Sequence, residues 1–278
     1  EMTSSLVGSE MCIRDSYYTG EQYPVIAEII TQCMAAGFEN FIIADPALML
    51  YLRQQKINCG IHLSGETAEV NRGMLEQMLP FRIRRVIFHR KNSLEDMQSC
   101  IKFVNDKKIN YKCDMKENIE EKYMFPDEYE AFILNELCHF SGAFCNSLHC
   151  DELTHLCRVP YELGNLHKKE ETDAAQKDVA ETDRIQEKEG KGLPLDEDGY
   201  LTGSTGCGLC ALYRMKQVGI THLKLVGRGN YTDFMEKDIR QLRKALDILE
   251  KSDNELQYQR EMKASLFPDG CSQNCYYR

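Results

Sequence analysis

The chain reads as an α/β protein built on a parallel sheet or barrel. Short apolar strand runs alternate with amphipathic helical runs from Tyr17 onward, and the turns between them are short. Polar residues stand where the strand runs end: Asp45, Ser64, His89, Arg90, Cys138 and Arg228. In parallel α/β folds the chemistry gathers at the carboxyl ends of the strands, so these residues form one candidate set, although loops are polar for ordinary reasons too.

The elements follow in order. Gln22–Ala36 has helical spacing, with Val25, Ile29 and Met34 on one side, and Gly37 ends it. Phe41–Ala44 is a strand stopped at Asp45-Pro46. Ala47–Gln54 is a helix, Cys59–Leu63 a strand ending in Ser64-Gly65, and Thr67–Leu79 a helix. Arg85–Phe88 is a strand ending at His89-Arg90. Ser93 caps a helix through Val104, with Asp96 in the third position of a capping box. Glu130–Leu137 is a strand ending at Cys138, Cys210–Val218 a helix, Thr221–Val226 a strand ending in Gly227-Arg228, and Tyr231–Lys251 a long amphipathic helix.

Residues 1–16 show neither period and resemble a translated sequencing adapter. They are expected to stand outside the fold, Cys12 with them, the native sequence starting near Tyr17. Residues 17–163 then hold the first part of the sheet and a Cys-rich loop, and 199–252 its last strand and long helix. Between them, 164–198 is nearly free of large apolar side chains, as an exposed helix, a disordered insertion or a docking segment would be. Residues 253–278 are expected to be a tail, exposed at the terminus or carrying Cys271 and Cys275 as a bridge or second metal half-site.

The 278 residues are 42% hydrophobic and 28% charged, with a net charge of −10. No apolar run approaches the ~20 residues a membrane span needs. The acidic balance argues against a broad nucleic-acid surface and leaves a local basic cleft open. Thirteen cysteines, an odd number, exclude complete pairing within one chain. The N-terminal stretch lacks a basic region followed by an apolar one, so a reducing cytoplasmic setting is expected. Cys33, Cys59 and Cys100 sit in apolar patterns as small core residues.

Cys138-x6-Cys145-x11-Cys157 lies in one stretch, and Cys210 follows much further along the chain. Structural zinc prefers short C-x2–4-C knuckles, which these gaps suit poorly, whereas a cubane iron–sulfur cluster accepts ligands from separate loops. Cys207-Gly-Leu-Cys210 resembles a redox or zinc knuckle, so a zinc half-site stays open. Asp45, His62, Arg90 and Arg228 are the candidate catalytic side chains. Their plain alternatives are a helix cap for Asp45, a core histidine for His62 and ordinary loop polarity for the arginines.

Six segments carry a resemblance: IADPALMLYL (43–52), IHLSGETAEVNRG (61–73), RRVIFHRKNSLEDM (84–97), YEAFILNELCHFSGAFCNS (129–147), LCRVPYEL (156–163) and CGLCALYRMKQVGITHLKLVGRGNY (207–231). In this order they resemble the peptidase U32 family, the collagenase-like protease family. The resemblance implies a TIM-type barrel, truncated at its N-terminal side to the last five or so βα units. Five parallel strands do not close an eight-stranded barrel, so an open sheet with an exposed apolar edge is expected.

Members of that family, including those acting in oxygen-independent ubiquinone hydroxylation and in tRNA or rRNA hydroxylation, bind a [4Fe–4S] cluster through four cysteines. The resemblance maps these onto Cys138, Cys145, Cys157 and Cys210. Cys210 is favoured over Cys207 because it matches the Cys of the family's Asp-Leu-Cys segment, and Cys150 has no counterpart. The family commonly has His-Gly where Leu134-Asn135 stand, and Lys-Ile-Glu-Gly-Arg where Lys224–Arg228 stand.

The implied function is iron–sulfur-dependent hydroxylation, or a prephenate-linked modification, of RNA or a small aromatic, with a further U32-family protein as partner. Arg82, Arg84, Arg85, Arg90 and Lys91 would receive an anionic substrate or form a solvated basic face. Two alternatives stand beside this. One is the peptidase of the family name, for which no G-x-S-x-G or H-E-x-x-H motif occurs and only Cys138 with His139, or Cys150 with His149 or His155, could pair. The other is a non-catalytic zinc-binding interaction module.

Overall fold

A computed structural model describes residues 10–13, 18–114, 125–135, 195–225 and 232–277. Among these, β1 (Glu10–Ile13), β2 (Asn40–Ile43), β3 (Gly60–Leu63), β4 (Ile83–Ile87), β5 (Glu128–Leu134) and β6 (His222–Leu225) form one sheet in chain order. Every neighbouring pair is parallel. The helices are α1 (Tyr23–Ala35), α2 (Pro46–Gln54), α3 (Arg72–Met78), α4 (Leu94–Asp114), α5 (Leu212–Val218), α6 (Thr232–Lys251) and α7 (Glu255–Leu266). Among the described residues β1 and β6 share no ladder, so the sheet is open, and the edge strand β6 is half-buried along its length. The α/β class is as expected; closure into a barrel is not seen among the described residues.

Strand alternation sorts the sheet's side chains onto two faces. Ile61, Leu63, Val86, Tyr129, Ala131 and Ile133 join the buried apolar core with Leu48, Leu52, Met97, Val104 and Met215 from the helices. The pairing register puts His62 beside Arg85, Arg85 beside Glu128, Glu130 beside His222 and Phe132 beside Lys224. The second face is therefore charged across β3 to β6.

Local chemistry explains most element ends. The Asp45 carboxylate accepts from the Ala47 backbone N–H at 2.8 Å and starts α2. Ser93 and Asp96 exchange the two bonds of a capping box: the Asp96 N–H donates to Ser93 Oγ at 3.1 Å, and the Ser93 N–H to Asp96 at 3.4 Å. α4 continues past the expected Val104 to Asp114. α3 starts later than expected, at Arg72, because the Asn71 side chain caps it through Met74 N. The preceding turn is pinned instead by Thr67 Oγ1 donating to Ala44 O at 2.9 Å and by Asn92 bonding both polar groups of the Val70 backbone.

Two elements depart from expectation. Residues 10–13 form β1, paired with β2, although they fall in the stretch that shows no period. So short a strand cannot display alternation. Residues 255–266 form α7, capped by Asn254 accepting from Gln257 N at 2.9 Å, where a tail was expected. The signal was present in Tyr258, Met262 and Leu266, spaced by four and all buried, but Arg and Gln neighbours mask it. Tyr258 is fully buried, and its hydroxyl donates to Leu209 O at 2.7 Å. No helix among the described residues is long and apolar enough to cross a membrane.

The docking of α7 is testable by truncating its central contact. Met262→Ala removes a fully buried side chain and should destabilise the chain by about 2–5 kcal/mol, read as a lower urea midpoint at unchanged slope. An unchanged midpoint would mean α7 does not bear on the core.

Candidate functional site

At the carboxyl ends of β2, β3 and β4 the expected residues are all buried. The Asp45 carboxylate is occupied: besides Ala47 N it accepts from the Tyr23 hydroxyl at 3.0 Å and from Tyr18 N at 3.2 Å. It is a cap and a clamp for the start of α1, as its plain alternative held. His62 is 1% exposed, inside β3 and opposite Arg85. Ser64 Oγ accepts from Glu66 N at 3.2 Å, and Arg90 Nη1 donates to Glu66 Oε1 at 3.0 Å. The Arg90–Glu66 pair is an ion pair with side chains 4% and 15% exposed.

His89 is fully buried; its Nδ1 accepts from Lys91 N at 3.2 Å, and its Nε2 has no hydrogen-bond partner among the described residues. Burial, then the charges of Arg90 and Lys91, bring the imidazole from its ordinary 6.5 down to about 3. It is neutral near pH 7 and cannot supply an imidazolium to activate a thiolate there.

The expected basic patch is largely neutralised. Arg85 donates to Glu128 at 2.8 Å and to Glu130 at 3.0 Å, and lies 3.2 Å from His222 Nε2. Lys224 sits 3.7 Å from Glu130 and over the Phe132 ring. Arg84, 45% exposed, also reaches Glu128, at 3.8 Å. Sequence proximity of the arginines concealed this because their carboxylate partners come from the next strand, far along the chain.

The carboxyl end of β5 is the most heavily constructed part of the sheet. Leu134 bridges to Cys207, and Cys207 in turn bridges to Cys275. Asn135 N donates to Gly206 O at 2.9 Å, Gly208 N to Ile133 O at 2.8 Å, and Cys207 N to Asn274 O at 2.8 Å. The loop and the chain's C-terminal segment are thus laid against the strand end, and they pair the main chains of Cys207 and Cys275, with Cys210 and Cys271 near enough to bear on the Cys207 thiol. All four are free thiols. Burial above all, then the neighbouring thiols, pushes Cys207 up to about 12; burial also raises Cys210, against the opposing pull of Lys263. Among the described residues no group of three or more His, Cys, Asp and Glu side chains is arranged to hold a single metal ion. Cys59 and Cys100 are buried, as core cysteines should be.

Beside this loop lies a buried acid that sequence reading missed. Asp238 of α6 is 1% exposed and accepts from the Tyr200 hydroxyl and the Asn135 side-chain amide. Burial raises its carboxyl pKa while the two hydrogen bonds oppose the rise. Its place on the long amphipathic helix, among charged neighbours, hid it: only a buried face distinguishes it from Asp233 or Asp247.

The sequence model of peptidase family U32 matches residues 11–277, nearly the whole chain. The chain belongs to peptidase family U32. Comparisons with curated proteins and with solved structures give no match. Of the cluster ligands implied by the U32 resemblance, Cys210 is described; Cys138, Cys145 and Cys157 lie outside the described residues, as does Arg228. The U32 match also includes the tail that holds Cys271 and Cys275.

His89 makes a pH prediction. Its folded pKa lies below the unfolded 6.5, so the unfolded chain binds the extra proton first; the contribution to stability is complete above 6.5 and is lost as the pH falls toward 3. The urea midpoint should drop between about pH 7 and about pH 5, and His89→Gln should flatten that slope whatever its own midpoint. An equal slope in the variant would remove His89 from the acid limb.

Proposed function

We propose that this U32 chain is an iron–sulfur enzyme of hydroxylation-type modification, acting on RNA or a small aromatic acid, rather than a thiol peptidase. The observation that carries the reading is the gathering of thiols around Cys210 at the carboxyl edge of β5. A nucleophilic cysteine needs a lowered pKa and a basic partner. Here burial raises Cys207 and Cys210, and no histidine is among the groups that shift them. A raised pKa does not bar metal ligation, which removes the thiol protons on binding.

An iron–sulfur cluster, when bound, supplies one-electron chemistry that side chains lack. By resemblance Cys138, Cys145 and Cys157 would hold it with Cys210. Asp238 of α6 holds a buried carboxyl against the turn after β5, fixed by Tyr200 and Asn135. The substrate class rests on the family resemblance, because Arg85 and Arg90 are engaged by Glu128, Glu130 and Glu66.

Anaerobic purification and reconstitution, followed by iron and sulfide assay and a visible spectrum, tests the reading. A brown protein with about four irons and four sulfides per chain is expected. Zinc without iron, or peptide hydrolysis that persists in the iron-free protein, overturns it.

A further inference from the structure

We infer that Cys207 and Cys275 are a covalent modification site, a reversible disulfide that clasps the C-terminal tail to the end of β5. The inference goes beyond the iron–sulfur reading and does not depend on it, since it leaves Cys210 free to ligate.

The backbone register supplies the geometry. Cys207 and Cys275 are partners in a parallel bridge. It is closed on both sides, by Cys207 N donating to Asn274 O at 2.8 Å and Tyr276 N donating to Cys207 O at 3.0 Å. Paired strands lie about 4.8 Å apart, and a disulfide spans Cα atoms roughly 4.4–6.8 Å apart. Directly paired residues send their side chains to the same side of a ladder. The neighbouring residues agree: Tyr276 packs on Gly206, where an added Cβ would lie 2.2 Å from the Tyr276 hydroxyl. The Cys207 sulfur faces Gly203, 3.1 Å from where a Cβ would stand. Ser272 Oγ donates to Gly203 O at 2.7 Å and the Asn274 amide to Ser204 O at 2.5 Å, so the tail runs over this same stretch of loop. Among the described residues neither Cys210 nor Cys271 shares a bridge with another cysteine, which selects the pair.

The two thiols differ in access, and that orders the chemistry. Both are free; Cys275 is exposed and Cys207 is half-buried. A small-molecule disulfide such as oxidised glutathione therefore meets Cys275 first. The Cys275 thiolate attacks it, the S–S bond breaks, and one small thiolate leaves, so that Cys275 carries a mixed disulfide. Cys207 then gives its proton to solvent, and its thiolate attacks the Cys275 sulfur and displaces the second small thiolate. The two thiolates released take up the two protons: two protein thiols are oxidised and one small disulfide is reduced to two thiols. Burial holds the Cys207 thiol protonated, which makes the second step the slow one. The bond closes a long loop that contains α5, β6, α6 and α7, a closure that strongly restricts the unfolded chain.

The test holds the reduced full chain anaerobically in glutathione buffers of rising oxidised share, then quenches it in acid, alkylates it and maps it by mass spectrometry. The expected product is a Cys207–Cys275 link that forms at the oxidising end and reopens in dithiothreitol. Its closure should raise the urea midpoint and slow removal of the tail by carboxypeptidase, and Cys275→Ser should show neither change. The map of the unaltered chain decides the pairing even where that variant fails to fold.

A link from Cys207 to Cys210 or Cys271 overturns the inference. So does glutathione that stays on Cys275 without closure, or a chain that forms no link at any ratio. Iron and sulfide are assayed separately, so a chain that takes up no iron and still closes the link overturns the iron–sulfur reading and supports the clasp.

Discussion

The main chain of Cys207 is held from both sides, by Leu134 at the end of β5 and by Cys275 in the C-terminal segment. That double pairing is the constraint on which the C-terminal half depends. A strand end normally leaves its last amides and carbonyls to a loop or to water. Here Ile133 O receives Gly208 N, Phe132 O receives the Tyr277 hydroxyl at 2.9 Å, and Cys207 N and O are both used by the tail. Tyr277 is half-buried and packs on the core, and Tyr258 and Met262 of α7 are buried within it. Helix α7 and the tail after it are therefore part of the sheet's architecture, and the loop that carries Cys207 is braced by β5, α7 and the tail together.

A second constraint acts on the face of the sheet away from the apolar core. Parallel sheets are usually apolar on both faces. This one carries Arg85, Glu128, Glu130, His222 and Lys224 in register across three strands. The charges are tolerable because they are paired: Arg85 engages both glutamates with its own side chain only 11% exposed. Removing one member of such a group leaves another charge uncompensated, so the network constrains β4, β5 and β6 jointly. It also explains why a run of arginines in the sequence does not amount to an open anion site.

What the sequence disclosed follows from how local each determinant is. The Ser93–Asp96 capping box, the Asp45-Pro46 start of α2 and the apolar runs of β2 to β6 are decided within a few residues, and they were legible with end shifts of a few positions. The late start of α3 was not, because Thr67 and Asn92 reach across to distant segments to hold the turn before it. The neutralisation of Arg85 and the burial of Asp238 were hidden for the same reason: their partners come from other elements. The meeting of Cys207 with Cys275 was hidden most completely, since two knuckles separated by α5, β6, α6 and α7 give no local sign that they share a strand end.

The departure from the U32 pattern at Leu134-Asn135 gains a physical meaning in this setting. Where the family commonly has His-Gly, Leu134 closes β5 and forms the bridge to Cys207. Asn135 adopts a left-handed backbone, φ 61°, a conformation that glycine takes freely and asparagine more readily than most residues. The turn that a glycine would allow is thus retained without the glycine. The asparagine side chain adds what glycine cannot, an amide that donates to Asp238 and a carbonyl oxygen that accepts from Thr205 Oγ1 at 3.4 Å. Leu134 and Asn135 thus pair this strand end with Cys207 and link the β5 turn to a buried acid on α6. The same turn delivers Gly206 and Cys207 to the tail, so the local departure and the thiol corner are consequences of one backbone arrangement.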